Sequence, residues 1–327
     1  MESLDLSVLA NAVSWRRAGH GVTLVTVVQT WGSAPRPPGS LLAIRGDGMI
    51  SGSVSGGCVE DDLIVRIRSG ECSHRPVLIS YGVTQSEAAR FGLPCGGTLR
   101  LVQEPLTDIH WVEELLQRCE QHRLVSRTLT LETGLVELSD ASRVDGMHFN
   151  GLTLTAVFGP QWRLLLIGAG QLSLTVASIA KMLDFEVLIC DPRDEYASSA
   201  MNGAITRVPG MPDDAVRELC PDAHTAIVAL THDPKLDDMA LIEALKSHAF
   251  YVGALGSARN QAARKHRLSE HFDLSAEELA RLHGPVGLRI AANTPAEIAV
   301  SIIAQIIQVK NSKLVVANGA LAPAASG

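Results

Sequence analysis

Two thiols in this chain stand among glycines. Ser51-Gly-Ser-Val-Ser-Gly-Gly-Cys58-Val-Glu60-Asp-Asp-Leu63 sets three glycines and three serines ahead of a cysteine and an acidic helix start. Phe91-Gly-Leu-Pro-Cys95-Gly96-Gly97-Thr98 repeats the combination. Glycine lets backbone N–H groups approach a ligand closely, and a helix N-terminus adds its positive dipole end. A thiol there is drawn toward thiolate, while Glu60, Asp61 and Asp62 push the other way. The plain alternative is a tight turn with the cysteine buried as a small residue. Two such loops in one chain weaken that alternative for each.

A second group of candidates follows a buried-strand pattern at Arg163–Ile167. Gly168-Ala-Gly170-Gln171-Leu-Ser173 comes next. Leu174, Ile179 and Leu183 then recur at helical spacing, and Glu186–Cys190 reads as another strand with Asp191 at its end. A dinucleotide-type half has this layout, with phosphate at the helix N-terminus near Gly168 and Gly170, and ribose hydroxyls on Asp191. Ser173 replaces the third glycine with a small residue. Arg193 is read as solvated rather than as a phosphate contact. Thr225–Leu230 is a strand ending in Thr231-His232-Asp233-Pro234. Asp233 is predicted as an N-cap with proline at N1, and His232 as a crevice candidate.

The elements needed to position these residues are legible at low resolution. Leu4, Val8, Leu9, Ala12 and Val13 predict an N-terminal helix, and the β-branched run Val22–Thr30 predicts a strand. Ser40–Arg45 and Met49–Val54 flank Gly46-Asp-Gly48 as a hairpin. A helix is predicted from Val59, a strand at Val77–Tyr81 and another at Leu99–Val102. Asp108–His122 reads as a helix, Arg123–Leu138 as two strands and Ser139–Gly151 as a surface loop. Phe250–Leu255 is a strand followed by the helix cap Ser257. Arg259, Arg264, Lys265 and Arg267 are expected to form a solvated basic face. Thr294-Pro-Ala-Glu297 is a capping box opening a final helix. The predicted fold class is α/β. An N-terminal α+β domain (residues 1–160) carries the Gly-Cys loops, and a Rossmann-like doubly wound parallel-sheet domain (161–327) ends in a frayed tail.

Bulk properties exclude several functions. The 327 residues are 46% hydrophobic and 19% charged, the pattern of a folded globular chain. A net charge of −7 and 4% aromatics disfavour a nucleic-acid binder. The acidic opening Met-Glu-Ser-Leu-Asp-Leu is unlike a secretory leader, and the apolar run near Ile298–Ile307 is too short to span a bilayer. The six cysteines form no C-x-x-C pair and read as reduced thiols. The chain is expected to be cytoplasmic and not bound to membrane.

Several of these motifs together resemble the xanthine dehydrogenase accessory family, XdhC/CoxI type. They are Thr30-Trp-Gly-Ser-Ala-Pro-Arg36-Pro-Pro-Gly39, Gly52-Ser-Val-Ser-Gly56-Gly57-Cys58-Val-Glu60 and Gly92-Leu-Pro-Cys95-Gly-Gly97 in the first half. In the second half they are Leu230-Thr-His-Asp-Pro-Lys-Leu-Asp-Asp238, Tyr251-Val-Gly-Ala-Leu-Gly-Ser257 and His283-Gly-Pro-Val-Gly-Leu288. The resemblance runs in order over roughly residues 20–310. Gln171, Arg289, Ala291 and Asn293 differ from residues the family often carries around the Rossmann crevice.

The resemblance implies a non-catalytic chaperone for the molybdenum cofactor, as molybdopterin or a dinucleotide form. Such a chaperone supports sulfuration by a cysteine desulfurase and passes the cofactor to a xanthine dehydrogenase or aldehyde oxidase-type apoenzyme; a homodimer is expected. On that reading the N–H groups of Gly52, Gly56, Gly57, Gly96 and Gly97 meet the phosphate or metal-oxo groups. Arg36 adds a bidentate phosphate contact. Cys58 is the first choice for direct molybdenum contact, as ligand or transient persulfide carrier, and Cys95 the second. Gly168, Gly170, Asp191 and His232 would line a nucleotide site at the Rossmann crevice. Two alternatives remain at this point. One is an NAD(P)-dependent oxidoreductase with His232 as acid–base. The other is a docking protein whose thiol loops are buried turns.

Overall fold

The computed structural model describes residues 3–31, 36–71, 73–82, 98–141, 146–193, 195 and 205–319, without the side chains of 3, 4 and 313–319. The chain divides into two compact units, Met1–Pro160 and Gln161–Gly327.

In the first unit, helix α1 (Ser3–Arg17) precedes β1 (Val22–Trp31), β2 (Leu41–Arg45) and β3 (Ile50–Gly52). Helix α2 (Cys58–Arg68), β4 (Val77–Tyr81), β5 (Thr98–Pro105) and α3 (His110–Glu120) follow. The five strands form one antiparallel sheet in the order β3-β2-β1-β5-β4. β1 is buried over its first seven residues, as its run of β-branched side chains requires. Leu63 and Ile67 of α2 pack with Val25, Val27, Leu42 and Ile44 of the sheet. A second antiparallel sheet, β7-β6-β9-β8, is built from β6 (Val125–Thr130), β7 (Val136–Asp140), β8 (His148–Phe149) and β9 (Thr153–Phe158). Its Arg127 is buried against Glu104 of β5 at 2.5 Å and lies over the Trp111 ring. β8 and β9 go beyond the predicted two strands. Leu154, Ala156 and Phe158 of β9 alternate inward, a period-2 signal that the polar residues just before it obscure.

The register puts three connections at one end of the five-stranded sheet. Trp31, at the end of β1, pairs with Thr98, at the start of β5, and Tyr81, at the end of β4, pairs with Leu99. Gly52, at the end of β3, pairs with Leu42 near the start of β2. The loops after β1, β3 and β4 therefore all spring from this end. They carry the Trp31–Gly39, Ser51–Cys58 and Phe91–Thr98 motifs.

The second unit is a parallel sheet in the order β12-β11-β10-β13-β14-β15. Its strands are β10 (Arg163–Ile167), β11 (Glu186–Cys190), β12 (Thr206–Val208), β13 (Thr225–Ala229), β14 (Tyr251–Ala254) and β15 (Leu282–His283). Helices α4 (Gln171–Met182), α5 (Pro212–Leu219), α6 (Pro234–Lys246), α7 (Ala258–Phe272), α8 (Ala276–Ala280) and α9 (Pro295–Gly319) alternate with or follow the strands. Leu164 and Leu166 face α4 and α9 on one side, while Leu165 and Ile167 face α5 and α6 on the other. Full burial of each such side chain stabilises the fold by about 1.5–3 kcal/mol. This is a doubly wound sheet, with the chain reversing direction between β10 and β13.

The predicted caps are present. Asp233 Oδ1 accepts the Lys235 amide at 2.9 Å, and Ser257 Oγ the Asn260 amide at 3.2 Å. Glu297 accepts from the Asn293 and Thr294 amides in the predicted capping box. The expected basic face of α7 is corrected at Arg264. That guanidinium is buried and paired with Asp237 at 2.9 Å and Asp238 at 3.1 Å, while Arg267 also holds Asp238. Burial pushes the Asp237 carboxyl above its ordinary range, against hydrogen bonds from Thr231 and the nearby Arg264 charge. Both acids sit on α6, a different helix, so nothing local to α7 reveals the pairing.

Candidate functional site

Cys58 is the first residue of α2, and it is exposed. A buried turn does not describe this thiol. Gly56 and Gly57 precede it with φ of 89° and 159°, and an added Cβ at either meets nothing within 4 Å. Residues 54–57 leave β3 and turn into the helix without regular hydrogen bonding of their own. Something else must satisfy their amides.

That partner is Glu60. Its Oε1 accepts the Val54, Ser55 and Gly56 amides at 2.9, 2.8 and 3.0 Å, and the Ser53 hydroxyl at 2.7 Å. Its Oε2 accepts the Gly57 amide at 2.8 Å and the Ser55 hydroxyl. The carboxylate is buried. Burial pushes its pKa up, but the hydrogen bonds from Ser55, Ser53 and Gly56 outweigh it and hold the value down at about 2. The loop is an anion-binding nest, and its anion is a side chain of the same chain.

This corrects one expectation. The Gly56 and Gly57 amides are already engaged by Glu60 and are not open to a phosphate or metal-oxo group. Gly52 is also required by the fold. With φ at 86°, its backbone lies so close to β2 that a Cβ would collide with the Leu41 carbonyl oxygen. The other two acids of the motif also have partners or a place. Asp62 accepts the Tyr81 hydroxyl at 2.9 Å, tying α2 to the end of β4. Burial and the Asp62 hydrogen bond together raise the Tyr81 pKa to about 12. Asp61 is exposed in the first turn of α2, where negative charge suits the helix dipole.

Arg36, half-buried between β1 and β2, has a buried Nε with no acceptor among the described residues. Cys95, Gly96 and Gly97 lie outside the described residues. The strands on either side of them, β4 and β5, end and begin at the same end of the sheet as the Cys58 loop. No group of three or more metal-ligating side chains occurs among the described residues. The donor set at Cys58 is thus one soft, accessible thiol beside a closed anion nest. That set offers one sulfur donor to a ligand and leaves no room for a free oxyanion at residues 54–57.

In the second unit, Gly168 follows β10 with φ at 104°, and a Cβ there would stand 3.1 Å from Thr231 Cα. Gly170 is the N-cap of α4. The turn after β10 and the end of β13 therefore touch, as a switch-point crevice requires. His232 lies at this point, exposed, with φ at 63°. The preceding Thr231 is held by Asp237, which accepts the Thr231 hydroxyl at 2.7 Å and its amide at 3.1 Å.

Asp191 is corrected. Its Oδ2 accepts the Ala169 amide at 2.8 Å, and both oxygens receive the Arg193 side chain at 2.9 and 2.8 Å. Burial raises its pKa, yet Arg193 and the Ala169 and Arg193 amides bring it below the usual carboxylate range. Asp191 braces the glycine turn instead of standing ready for ribose hydroxyls. Arg193 is accordingly an ion-pair partner, not a solvated charge. Motif spacing places Asp191 at the strand end but is silent on what its oxygens bind. Glu60 was legible in principle, since a glutamate at N3 returning to the N-cap amide is half of a capping box.

Known proteins share both halves of this architecture. Residues 15–82 match the XdhC and CoxI family, and residues 164–306 match the XdhC Rossmann domain. The molybdenum cofactor insertion chaperone PaoD of Escherichia coli is 30% identical over 305 residues, covering 93% of this chain and 88% of that protein. A Bacillus subtilis protein described as a probable subunit of xanthine dehydrogenase is 29% identical, covering 90% and 94%. A crystal structure described as a xanthine dehydrogenase from Bacillus halodurans superposes with a TM-score of 0.78 at 23% identity, covering 99% of this chain and 98% of its own, a likeness of fold. With both halves matched and a relative aligned along nearly its whole length, the chain belongs to the XdhC and CoxI family.

Proposed function

We propose that this protein binds the molybdenum–pterin cofactor as cargo and hands it to a xanthine dehydrogenase or aldehyde oxidase-type apoprotein. The observation that carries the reading is the exposed Cys58 thiol. It stands at the start of α2, after a loop whose amides are held by Glu60, at the sheet end from which all three signature loops spring. Family membership and the name of the Escherichia coli relative support the same reading. The molybdenum end supplies a metal already ligated by sulfur, to which a further thiolate can bind, and the Arg36 guanidinium, whose Nε has no acceptor among the described residues, is the donor for an anionic group of the pterin.

The role is that of a carrier rather than a catalyst. A cysteine desulfurase would supply sulfur to the bound cofactor, and a homodimer would present it in the cytoplasm. A nicotinamide-dependent oxidoreductase finds less support, because the acid expected to hold the ribose is consumed by Ala169 and Arg193. No helix among the described residues is long and apolar enough to cross a membrane.

Molybdenum analysis and pterin fluorescence of the protein, purified after co-expression with a cofactor-producing host, test the reading. It predicts both in comparable amounts. Protein free of both, but saturable with NADH, would contradict it.

A further inference from the structure

The Cys58 loop holds an anion already. Six donors converge on the Glu60 carboxylate: the amides of Val54, Ser55, Gly56 and Gly57 and the hydroxyls of Ser53 and Ser55. This is the arrangement that proteins use to seize a phosphate or carboxylate from solution. Here the occupant is covalently attached three residues into the helix, so its effective concentration exceeds that of a dissolved competitor. The adjoining thiol is exposed and is not consumed by the cradle.

We propose that Glu60 is a specificity-determining residue of the Cys58 loop. By filling the nest with its own carboxylate, it denies that recess to external phosphate or carboxylate and leaves Cys58 to meet the soft, metal-and-sulfur end of a ligand. The inference deepens the cofactor-carrier reading and rests on it for the identity of the ligand. It also assigns the anionic end of such a ligand to donors outside residues 54–57, with Arg36, whose Nε has no acceptor among the described residues, the candidate on the loop after β1.

Two alkylating reagents of nearly the same size test this on the full, cofactor-free chain. Iodoacetate carries a negative charge and iodoacetamide does not. The rate at Cys58 is read by mass spectrometry on the tryptic segment 46–66, in which Cys58 is the single cysteine. Exposed Cys220, in the other unit, serves as the internal reference. In the parent protein the nest is full, and the anionic reagent gains nothing from it.

Glu60→Ala should raise the iodoacetate-to-iodoacetamide rate ratio at Cys58 by about two- to five-fold, the range a charge at a helix terminus commands. Formate at constant ionic strength should return the ratio toward the parent value by refilling the nest. Glu60→Gln removes the charge but keeps a side chain in the recess. Its ratio should rise less and ignore formate. The ratio at Cys220 should not move in either variant. A parent-like ratio in Glu60→Ala, or a raised one that formate leaves untouched, overturns the proposal. If Glu60→Ala fails to fold, Glu60→Ser, which also empties the recess, takes its place, and a parent-like ratio there, or a raised one that formate leaves untouched, overturns the proposal. A purely structural role for Glu60 would change both rates together and leave their ratio unaltered. Since no pterin enters the assay, this inference and the cofactor reading fail separately.

Discussion

Glu60 Oε2 accepts the Gly57 amide at 2.8 Å, so a carboxylate two residues past the Cys58 thiol closes the loop that leads into it. The carboxylate thereby ties the loop to the first turn of α2. The sign of the pH dependence follows from the depressed pKa. Glu60 titrates near 2 in the folded chain and near its ordinary 4.5 when unfolded. Its contribution is therefore complete above about pH 4.5 and is lost as pH falls toward 2, amounting to ~3 kcal/mol. Denaturant titrations of the parent and Glu60→Gln at pH 7 and pH 3 check this. The difference between the two proteins should be large at pH 7 and should shrink at pH 3.

Gly52 and Gly56 have similar positive φ, 86° and 89°, but different surroundings. Gly52 faces the Leu41 carbonyl, while Gly56 faces open space. Gly56→Ala should cost only the left-handed backbone penalty of about 1–2 kcal/mol. Gly52→Ala must also displace β2, and its thermal midpoint should fall clearly further. Paired thermal melts decide the order; equal losses would mean that the close approach to Leu41 carries no weight.

Asp191 holds the Ala169 amide inside the turn that leads to α4. Asp191→Ala removes a buried, charge-assisted acceptor and should destabilise the second unit by about 1–3 kcal/mol. The Ala169 amide should then exchange with solvent faster than its neighbours in β10. Unchanged exchange at Ala169 would show that the brace is dispensable.

The Rossmann half was legible because its evidence is local. Buried runs such as Leu164–Ile167 and Thr225–Ala229, glycines at strand ends, and the caps Asp233, Ser257 and Glu297 each announce themselves within a few residues. What stayed hidden depends on distant or competing partners. Arg264 on α7 meets Asp237 and Asp238 on α6, and no spacing rule links the two helices. Asp191 stands where the motif places it, yet Arg193 takes the oxygens that the motif reserves for a ligand. In the Cys58 loop the sequence offers the glycine amides as donors for something outside. Spacing does not reveal that the anion those amides hold is Glu60 itself.

Retention of the cofactor by a Cys58→Ala variant tests the central claim most directly. Purified parent, Cys58→Ala and Cys220→Ala proteins are incubated with free molybdenum cofactor, freed of excess by gel filtration, and assayed for bound pterin and molybdenum. Parent and Cys220→Ala should retain both, and Cys58→Ala should lose most of each while its far-ultraviolet spectrum and melting curve stay parent-like. Retention by Cys58→Ala equal to the parent would contradict the account.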